Sequence, residues 1–125
     1  MRRGYKAEYL CKKKLIEEFG KDNVVKVAIG GATDFLVLKP GSNKIEKIVE
    51  VKQTRKNRWY PSEHDIRQFE VIKKISKDHG IKVEYWIKIR RKWQILSLKE
   101  IEKIINRKTT NNNQISDTDK LKSKF

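Results

Sequence analysis

The chain has 125 residues, with 31 Lys or Arg against 16 Asp or Glu, so its formal net charge is +15. This length holds one domain at most, and a single cysteine excludes an intrachain disulfide framework and a cysteine-based zinc site. No apolar run reaches the roughly 18 residues of a membrane span, and no apolar segment follows the basic N-terminus as it would in a secretory signal. We therefore expect a cytoplasmic protein with no membrane partner.

The excess of positive charge belongs mainly to the predicted domain rather than to the C-terminal tail. Residues 1–107 contain 27 Lys or Arg and 14 Asp or Glu, which leaves +13. An excess of this size in a small domain usually serves a polyanion such as DNA, RNA or an acidic membrane surface. The alternative is a lysine-rich composition that only keeps the protein soluble.

The first half of the chain predicts one helix and three strands. Residues 4–19 place aromatic and aliphatic side chains at helical spacing. Residues 23–27 are short and rich in β-branched side chains, and residues 33–38 form a nearly continuous apolar run that contains one acid, as in a buried strand. After the turn residues 40–43, residues 44–54 alternate between aliphatic and charged side chains and predict the partner strand.

The second half predicts a loop, a helix, two strands and a last helix. Residues 55–61 are basic and aromatic, and residues 62–80 predict a helix with serine as its N-cap and glycine at its end. Residues 81–89 and 93–96 read as strands, and a Ser-x-x-Glu capping box at residue 97 begins the third helix. The order predicts a mixed α/β domain with helices packed on a central sheet.

We divide the chain into one domain and one tail. The domain covers residues 1–107. Residues 108–125 are polar and lack a periodic apolar face, so we expect this tail to be disordered.

Two acids and a lysine occur where ordinary surface charges are unusual. Asp34 begins an apolar strand, in which an unpaired buried carboxylate would be costly. Glu50 and Lys52 lie two residues apart on the next strand, so they project from the same face. Because adjacent strands are about 4.8 Å apart, Asp34 and Glu50 can share one cation. Glu8 on the first helix can complete the acidic cluster.

This combination predicts metal-assisted hydrolysis of a phosphodiester. Carboxylate oxygens and water suit Mg²⁺, for which Mn²⁺ can substitute. The cation would polarise the scissile phosphate and lower the pKa of a bound water, and Lys52 would neutralise the charge that develops in the transition state. The alternative is a cross-strand ion pair, in which Glu50 and Lys52 are only solvated polar positions.

The order and spacing of these residues resemble a known nuclease superfamily. The positions that carry the pattern are Gly4, Glu8, Gly30, Gly31, Asp34, Glu50, Lys52 and Gln68. They resemble the PD-(D/E)XK nucleases and, within them, the archaeal Holliday junction resolvases. Thr33 stands where the superfamily usually has proline.

The resemblance implies a fold, a site and a partner. The fold would be restriction-endonuclease-like, with a mixed central sheet of about five strands flanked by helices. Catalytic residues would be Glu8, Asp34, Glu50, Lys52 and Gln68, of which the first three would bind Mg²⁺. The implied assembly is a homodimer whose two active sites cut opposing strands of a four-way DNA junction.

Residues that flank this pattern in the sequence are candidate contacts to DNA. They are basic, glycine or aromatic residues: Arg2, Arg3, Lys6, Gly30, Gly31, Arg55, Lys56, Arg58 and Tyr60. Basic side chains would contact phosphates, and an aromatic ring would lie near a base or sugar. For Trp59 and Tyr60 the alternative is that both rings anchor the loop on the core.

Two other classes of function stay open at this stage. One is a nucleic-acid-binding module with structural acids, which would bind DNA without a divalent metal and never cleave it. The other is a nuclease of the same fold with a restriction-like, single-strand, repair or RNA-processing role, because fold does not determine substrate. The small size of the chain suits recognition of DNA shape by a dimer.

Overall fold

The computed structural model describes residues 3–29 and 32–108. Their elements, in chain order, are helix α1 (Arg3–Phe19), strands β1 (Val24–Ile29), β2 (Ala32–Leu38) and β3 (Ile45–Thr54), helix α2 (Glu63–His79), strands β4 (Val83–Ile89) and β5 (Lys92–Ser97), and helix α3 over residues 98–108. This is the predicted order of elements. β1 extends beyond its predicted end at residue 27 because Ile29 still pairs with Ala32 across the hairpin.

The five strands form one mixed sheet in the spatial order β1-β2-β3-β4-β5. Neighbouring strands are antiparallel except β3 and β4, which are parallel. A parallel pair needs a crossover connection, and α2 supplies it here. The prediction of an α/β domain with about five strands flanked by helices is confirmed. Among the described residues, no helix combines the length and apolarity of a membrane span.

Each face of the sheet carries its own apolar core. On the face that we call the α2 face, the buried side chains are Ile48, Phe69, Ile72, Val83, Tyr85, Ile87, Leu96, Ile101 and Ile105, which come from the sheet, α2 and α3. On the opposite face, the α1 face, they are Cys11, Leu15, Val24, Phe35, Val37, Val49 and Trp86. Because successive strand residues alternate between faces, β3 contributes to both cores.

Helix α2 is fixed at both ends by local hydrogen bonds. The Ser62 hydroxyl accepts from the Asp65 backbone N–H at 3.1 Å, and the Asp65 carboxylate accepts from the Ser62 backbone N–H at 2.8 Å, which is a complete capping box. At the other end Gly80 has φ 64°, a left-handed conformation that glycine adopts without steric cost. The capping box fixes the first turn of α2 relative to its N-terminal loop.

The last described helix runs further than the predicted domain boundary. Lys108, which we assigned to the tail, is helical, and its ammonium donates a hydrogen bond to the backbone carbonyl of Pro61. This bond ties the end of α3 to the loop before α2. Residues 109–125, where we expected disorder, lie outside the described residues.

The single cysteine, Cys11, is part of the core of the α1 face. Burial raises the pKa of the Cys11 thiol to about 12. A thiol with so high a pKa is a poor nucleophile at neutral pH, because only the thiolate attacks. Cys11 therefore acts as a small apolar side chain.

Candidate active site

Two carboxylates lie side by side in the middle of the sheet. Asp34 on β2 is directly opposite Glu50 on β3, and both side chains are 0% exposed. Directly opposite residues of antiparallel strands have Cβ atoms about 4.5–5.5 Å apart and share a face. Two adjacent buried carboxylates repel each other unless a cation or a proton lies between them. The neighbouring pair that the sequence predicted is confirmed.

The Glu50 carboxylate retains unused capacity to accept hydrogen bonds. Within residues 3–29 and 32–108, neither of its oxygens accepts one, although Oε1 lies 3.3 Å from Lys52 Nζ. An ionised carboxylate has about four acceptor positions. This oxygen set fits a hard cation, which would satisfy the buried charge directly.

The ammonium of Lys52 is held by three oxygens. It donates to Asp65 Oδ1 at 2.8 Å and to Gln68 Oε1 at 2.7 Å, both on α2, and lies 3.3 Å from Glu50 Oε1. The two hydrogen bonds and the close charge contact with Glu50 fix the position of the ammonium. The predicted residues Lys52 and Gln68 are thus brought together beside Glu50, and α2 supplies two of the three contacts.

Asp65 is a site residue that sequence reasoning missed. It lies in the first turn of the helix predicted over residues 62–80, where we assigned it no role in the site, yet it binds Lys52. Burial raises its pKa, but the hydrogen bonds from Lys52 and from the Ser62 backbone outweigh burial and leave the Asp65 pKa below its ordinary value. The spacing of Asp65 and Gln68, three residues apart on one helix face, was the available signal.

Tyr85 is the second residue that sequence reasoning missed. It pairs with Glu50 in the parallel β3–β4 register, and its buried hydroxyl has no hydrogen-bond partner among the described residues. Burial and the negative charges of Asp34 and Asp65 raise the pKa of Tyr85. The hydroxyl therefore stays protonated and can act as a donor near the acids. The sequence offered no signal beyond a tyrosine on a strand.

The structure does not bring Glu8 to the acid pair. The Glu8 carboxylate lies 2.6 Å from Lys26 Nζ on β1, and Lys26 is opposite Phe35 on the α1 face. Asp34 precedes Phe35 and so projects from the other face. The sheet therefore separates Glu8 from Asp34, and in the described part of the chain no three acid, histidine or cysteine side chains are arranged to hold a metal.

Two acidic ligands still suit one of the predicted cations. Mg²⁺ keeps several waters and commonly takes only one or two protein carboxylates together with substrate phosphate oxygens. Asp34 and Glu50 meet that requirement, whereas a site built wholly from protein ligands would need more oxygens. The donor set is hard oxygen only, which disfavours Zn²⁺ relative to Mg²⁺ or Mn²⁺.

The two aromatic rings of the loop after β3 have different environments. Trp59 is half-buried, and its ring centroid lies 6.2 Å from that of Tyr85 in the core. Tyr60 is 62% exposed, with Lys56 Nζ 5.4 Å from its ring centroid. Trp59 therefore fits the alternative in which the ring anchors the loop on the core. Tyr60 faces solvent and remains a candidate DNA contact.

The remaining candidate DNA contacts are dispersed. Arg55, Lys56 and Arg58 are exposed on the loop that follows β3, and Lys6 is exposed near the start of α1. Arg3 begins α1. Arg2, Gly30 and Gly31 lie outside the described residues.

No family model, curated protein or solved structure matches this chain. A functional assignment therefore has to come from the residues of the site and from their geometry.

Proposed function

We propose that this protein is a divalent-metal-dependent endodeoxyribonuclease that resolves four-way DNA junctions, with a restriction-endonuclease-like fold akin to that of the archaeal Holliday junction resolvases. One observation carries the proposal. Asp34 and Glu50 are buried in direct cross-strand register, and Lys52 lies on the same face beside them. Buried acids next to a fixed lysine are the residue types that metal-assisted phosphodiester hydrolysis uses.

Asp34 and Glu50 are the residues that would hold Mg²⁺, or Mn²⁺ in its place. Bound there, the cation supplies a Lewis acid for the phosphate and a water of lowered pKa. Glu50 presents two oxygens for this role, and Asp34 lies within reach of the same cation across the strand pair.

Lys52 stabilises the negative charge that develops on the phosphate oxygens during hydrolysis. A preorganised cation is effective in this role because it does not have to reorient as charge builds up. Asp65 and Gln68 provide the preorganisation by fixing the ammonium from α2. They are positioning residues, and the capping box at Ser62 in turn fixes Asp65.

Charge supports DNA as the substrate. The net charge is +15, and exposed arginine and lysine side chains follow directly after the strand that carries Glu50 and Lys52. A four-way junction concentrates phosphates at its centre, which favours a strongly basic partner. A homodimer would supply two active sites for the two strands that must be cut, and we assign the protein to the cytoplasm.

The test is cleavage of labelled four-way junction, duplex and single-stranded DNA in Mg²⁺ and in EDTA, with wild type, Asp34→Asn, Glu50→Gln and Glu46→Gln. Glu46 is the matched control because it is a glutamate on the same strand. We expect wild type and Glu46→Gln to cut the junction in Mg²⁺ only. Glu50→Gln and Asp34→Asn should bind the junction in Ca²⁺ but lose cleavage by three orders of magnitude or so. Cleavage by Glu50→Gln at the wild-type rate contradicts the proposal.

A second candidate is a non-catalytic module that binds DNA junctions. The observation in its favour is that Glu8 pairs with Lys26, so the described residues do not form a three-acid metal group. In that case the acids and Lys52 would form a structural network. Junction binding without cleavage in both Mg²⁺ and Mn²⁺, and with the same affinity in EDTA, identifies this function.

A further inference from the structure

A cleft of about 1160 Å³ lies beside the candidate active site. Its walls come from three separate parts of the chain, namely the loop before α2, the turn between β4 and β5, and the end of α3. The lining residues with formal positive charge are Arg58, Arg90, Arg91, Lys92, Arg107 and Lys108, and no described lining residue is Asp or Glu. Such a one-sided charge distribution focuses a positive potential into the cleft.

The same cleft is lined by aromatic rings and has an aliphatic floor. Trp59 and Tyr60 contribute the rings, and Ile87 and Ile89 belong to the floor. Binding phosphates requires no aromatic rings. Exposed rings instead suit the binding of bases, because every base has a flat face that stacks on a ring. Tyr60 is the ring most open to solvent.

The turn between β4 and β5 carries its arginines at a conformational cost. Ile89 pairs with Lys92, so Arg90 and Arg91 alone form the turn, and Arg90 has φ 59°. Turns of this length usually place Gly, Asn or Asp at a positive φ, since other side chains are strained there. Strained residues of this kind concentrate at binding sites. The Arg90 N–H also donates to the Thr54 carbonyl at 3.3 Å, which fixes the turn against the end of β3.

The cleft begins where the candidate active site ends. Ile87 in its floor pairs with Lys52 in the parallel register, so the two side chains are neighbours on the α2 face. Trp59 in its wall packs on Tyr85, which pairs with Glu50. A polymer held in the cleft would therefore pass close to Glu50 and Lys52.

We propose that this cleft binds an unpaired segment of a DNA strand. Its phosphates would contact the arginines and lysines of the turn and of α3, and an unstacked base would lie on Tyr60. A base-paired duplex hides the faces of its bases, so it could not use the rings. The inference rests on the proposed function for the choice of DNA as the polymer.

The first test measures binding without metal, by fluorescence anisotropy in EDTA. The probes are an oligothymidylate of about 12 nucleotides, an abasic strand with the same number of phosphates, and a duplex of the same length. We expect the oligothymidylate to bind at least about fivefold more tightly than the abasic strand, the scale of one stacked base, and more tightly than the duplex. Equal affinity for thymidine and abasic strands overturns the proposal.

Variants then assign the binding to this cleft. The double variant Arg91→Ala/Lys92→Ala should flatten the dependence of log affinity on log salt by about 1.4, since each phosphate contact to a single strand contributes about 0.7. The matched control is Lys12→Ala/Lys13→Ala, which removes the same charge from exposed positions on α1, on the other side of the sheet. The same loss of slope in both double variants overturns the proposal.

Tyr60 separates stacking from charge. Tyr60→Ala should weaken oligothymidylate binding about fivefold or more and leave abasic binding unchanged, and Tyr60→Trp should restore it. No change in Tyr60→Ala contradicts the role of this ring. These binding measurements are made in EDTA and do not depend on cleavage, so a failure of catalysis and a failure of this cleft give different results.

Discussion

The two ends of β3 each carry a lysine that is mostly buried, and the two lysines have different surroundings. Lys47, at the beginning of the strand on the α1 face, lies 2.7 Å from Glu84 and within 6 Å of the ring centroids of Phe19 and Trp86. Its charge is matched by one carboxylate and two aromatic faces, as expected of a structural ion pair.

At the other end, Lys52 leaves the Glu50 carboxylate without an accepted hydrogen bond among the described residues. Lys52 is shared between Asp65, Gln68 and Glu50, and Glu50 lies beside a second buried carboxylate, Asp34. The proposed function makes Lys52 a site lysine, and the comparison with Lys47 suggests a criterion for that role. The criterion is whether the oxygens of the neighbouring acid already accept hydrogen bonds, and within residues 3–29 and 32–108 those of Glu50 do not.

The largest difference should appear when each lysine is replaced by methionine, which keeps the length of the side chain. Lys52→Met should lower the single-turnover cleavage rate about 100-fold, because a preorganised charge is lost from the transition state. Lys47→Met should leave the cleavage rate of the folded protein unchanged and lower its stability. Quenched-flow cleavage of a labelled junction measures the first effect, and urea unfolding the second. Equal cleavage rates for Lys52→Met and Lys47→Met would contradict the proposed difference between the two lysines.

Removing the acid beside each lysine should have different effects on stability, with a loss at the Lys47 end of β3 and none at the Lys52 end. Glu84→Gln leaves the Lys47 charge without its partner in the core, so we expect the free energy of unfolding to fall by about 2–3 kcal/mol. Glu50→Gln removes one of two adjacent negative charges, so it should leave stability unchanged or raise it. Urea unfolding in EDTA measures both, and a larger loss in Glu50→Gln would contradict the comparison.

Acid should weaken both ends of the strand together. Burial raises the pKa values of Asp65 and Glu84, but hydrogen bonds from Lys52 and Lys47 outweigh it, and both values lie below the ordinary range. Carboxyls with a lowered pKa in the folded state stabilise it above their unfolded pKa of about 4, and this stability is lost as pH falls through the lower folded values. Unfolding at several pH values below about 5 should show this fall, with a shallower slope in Asp65→Asn and Glu84→Gln.

The smallest effect should come from Tyr85, whose hydroxyl lies near the acids. Tyr85→Phe deletes a buried hydroxyl with no hydrogen-bond partner among the described residues. Stability should change by less than about 1 kcal/mol, because little hydrogen-bond energy is lost. If the hydroxyl donates to the substrate instead, the cleavage rate falls while the free energy of unfolding stays constant.

The order of elements was predictable because it depends on local sequence. Apolar periodicity identified the strands, and Ser62 and Gly80 marked the ends of α2. The Asp34–Glu50 pair was predictable for a related reason, since a short turn joins their strands and makes them neighbours.

The residues that were missed or misplaced depend on how distant elements dock. Glu8 was assigned to the acid cluster from its position on α1, but which face a helix covers is decided by packing of Leu15 and Cys11 against the sheet. Asp65 reaches Lys52 only because α2 crosses over β3. The basic cleft joins three segments that are far apart in the sequence, and no local pattern reveals such a surface.

The parallel pairing of β3 and β4 also has a consequence for the order of folding. β1, β2 and β3 form a meander of short hairpins, whereas β4 joins β3 only after the whole α2 crossover has closed. Contacts across short loops form faster than those that need long loop closure. We therefore expect Asp34 and Glu50 to meet early and the Lys52–Gln68 bond to form late, so pulse-labelled hydrogen exchange should protect β2 before β4.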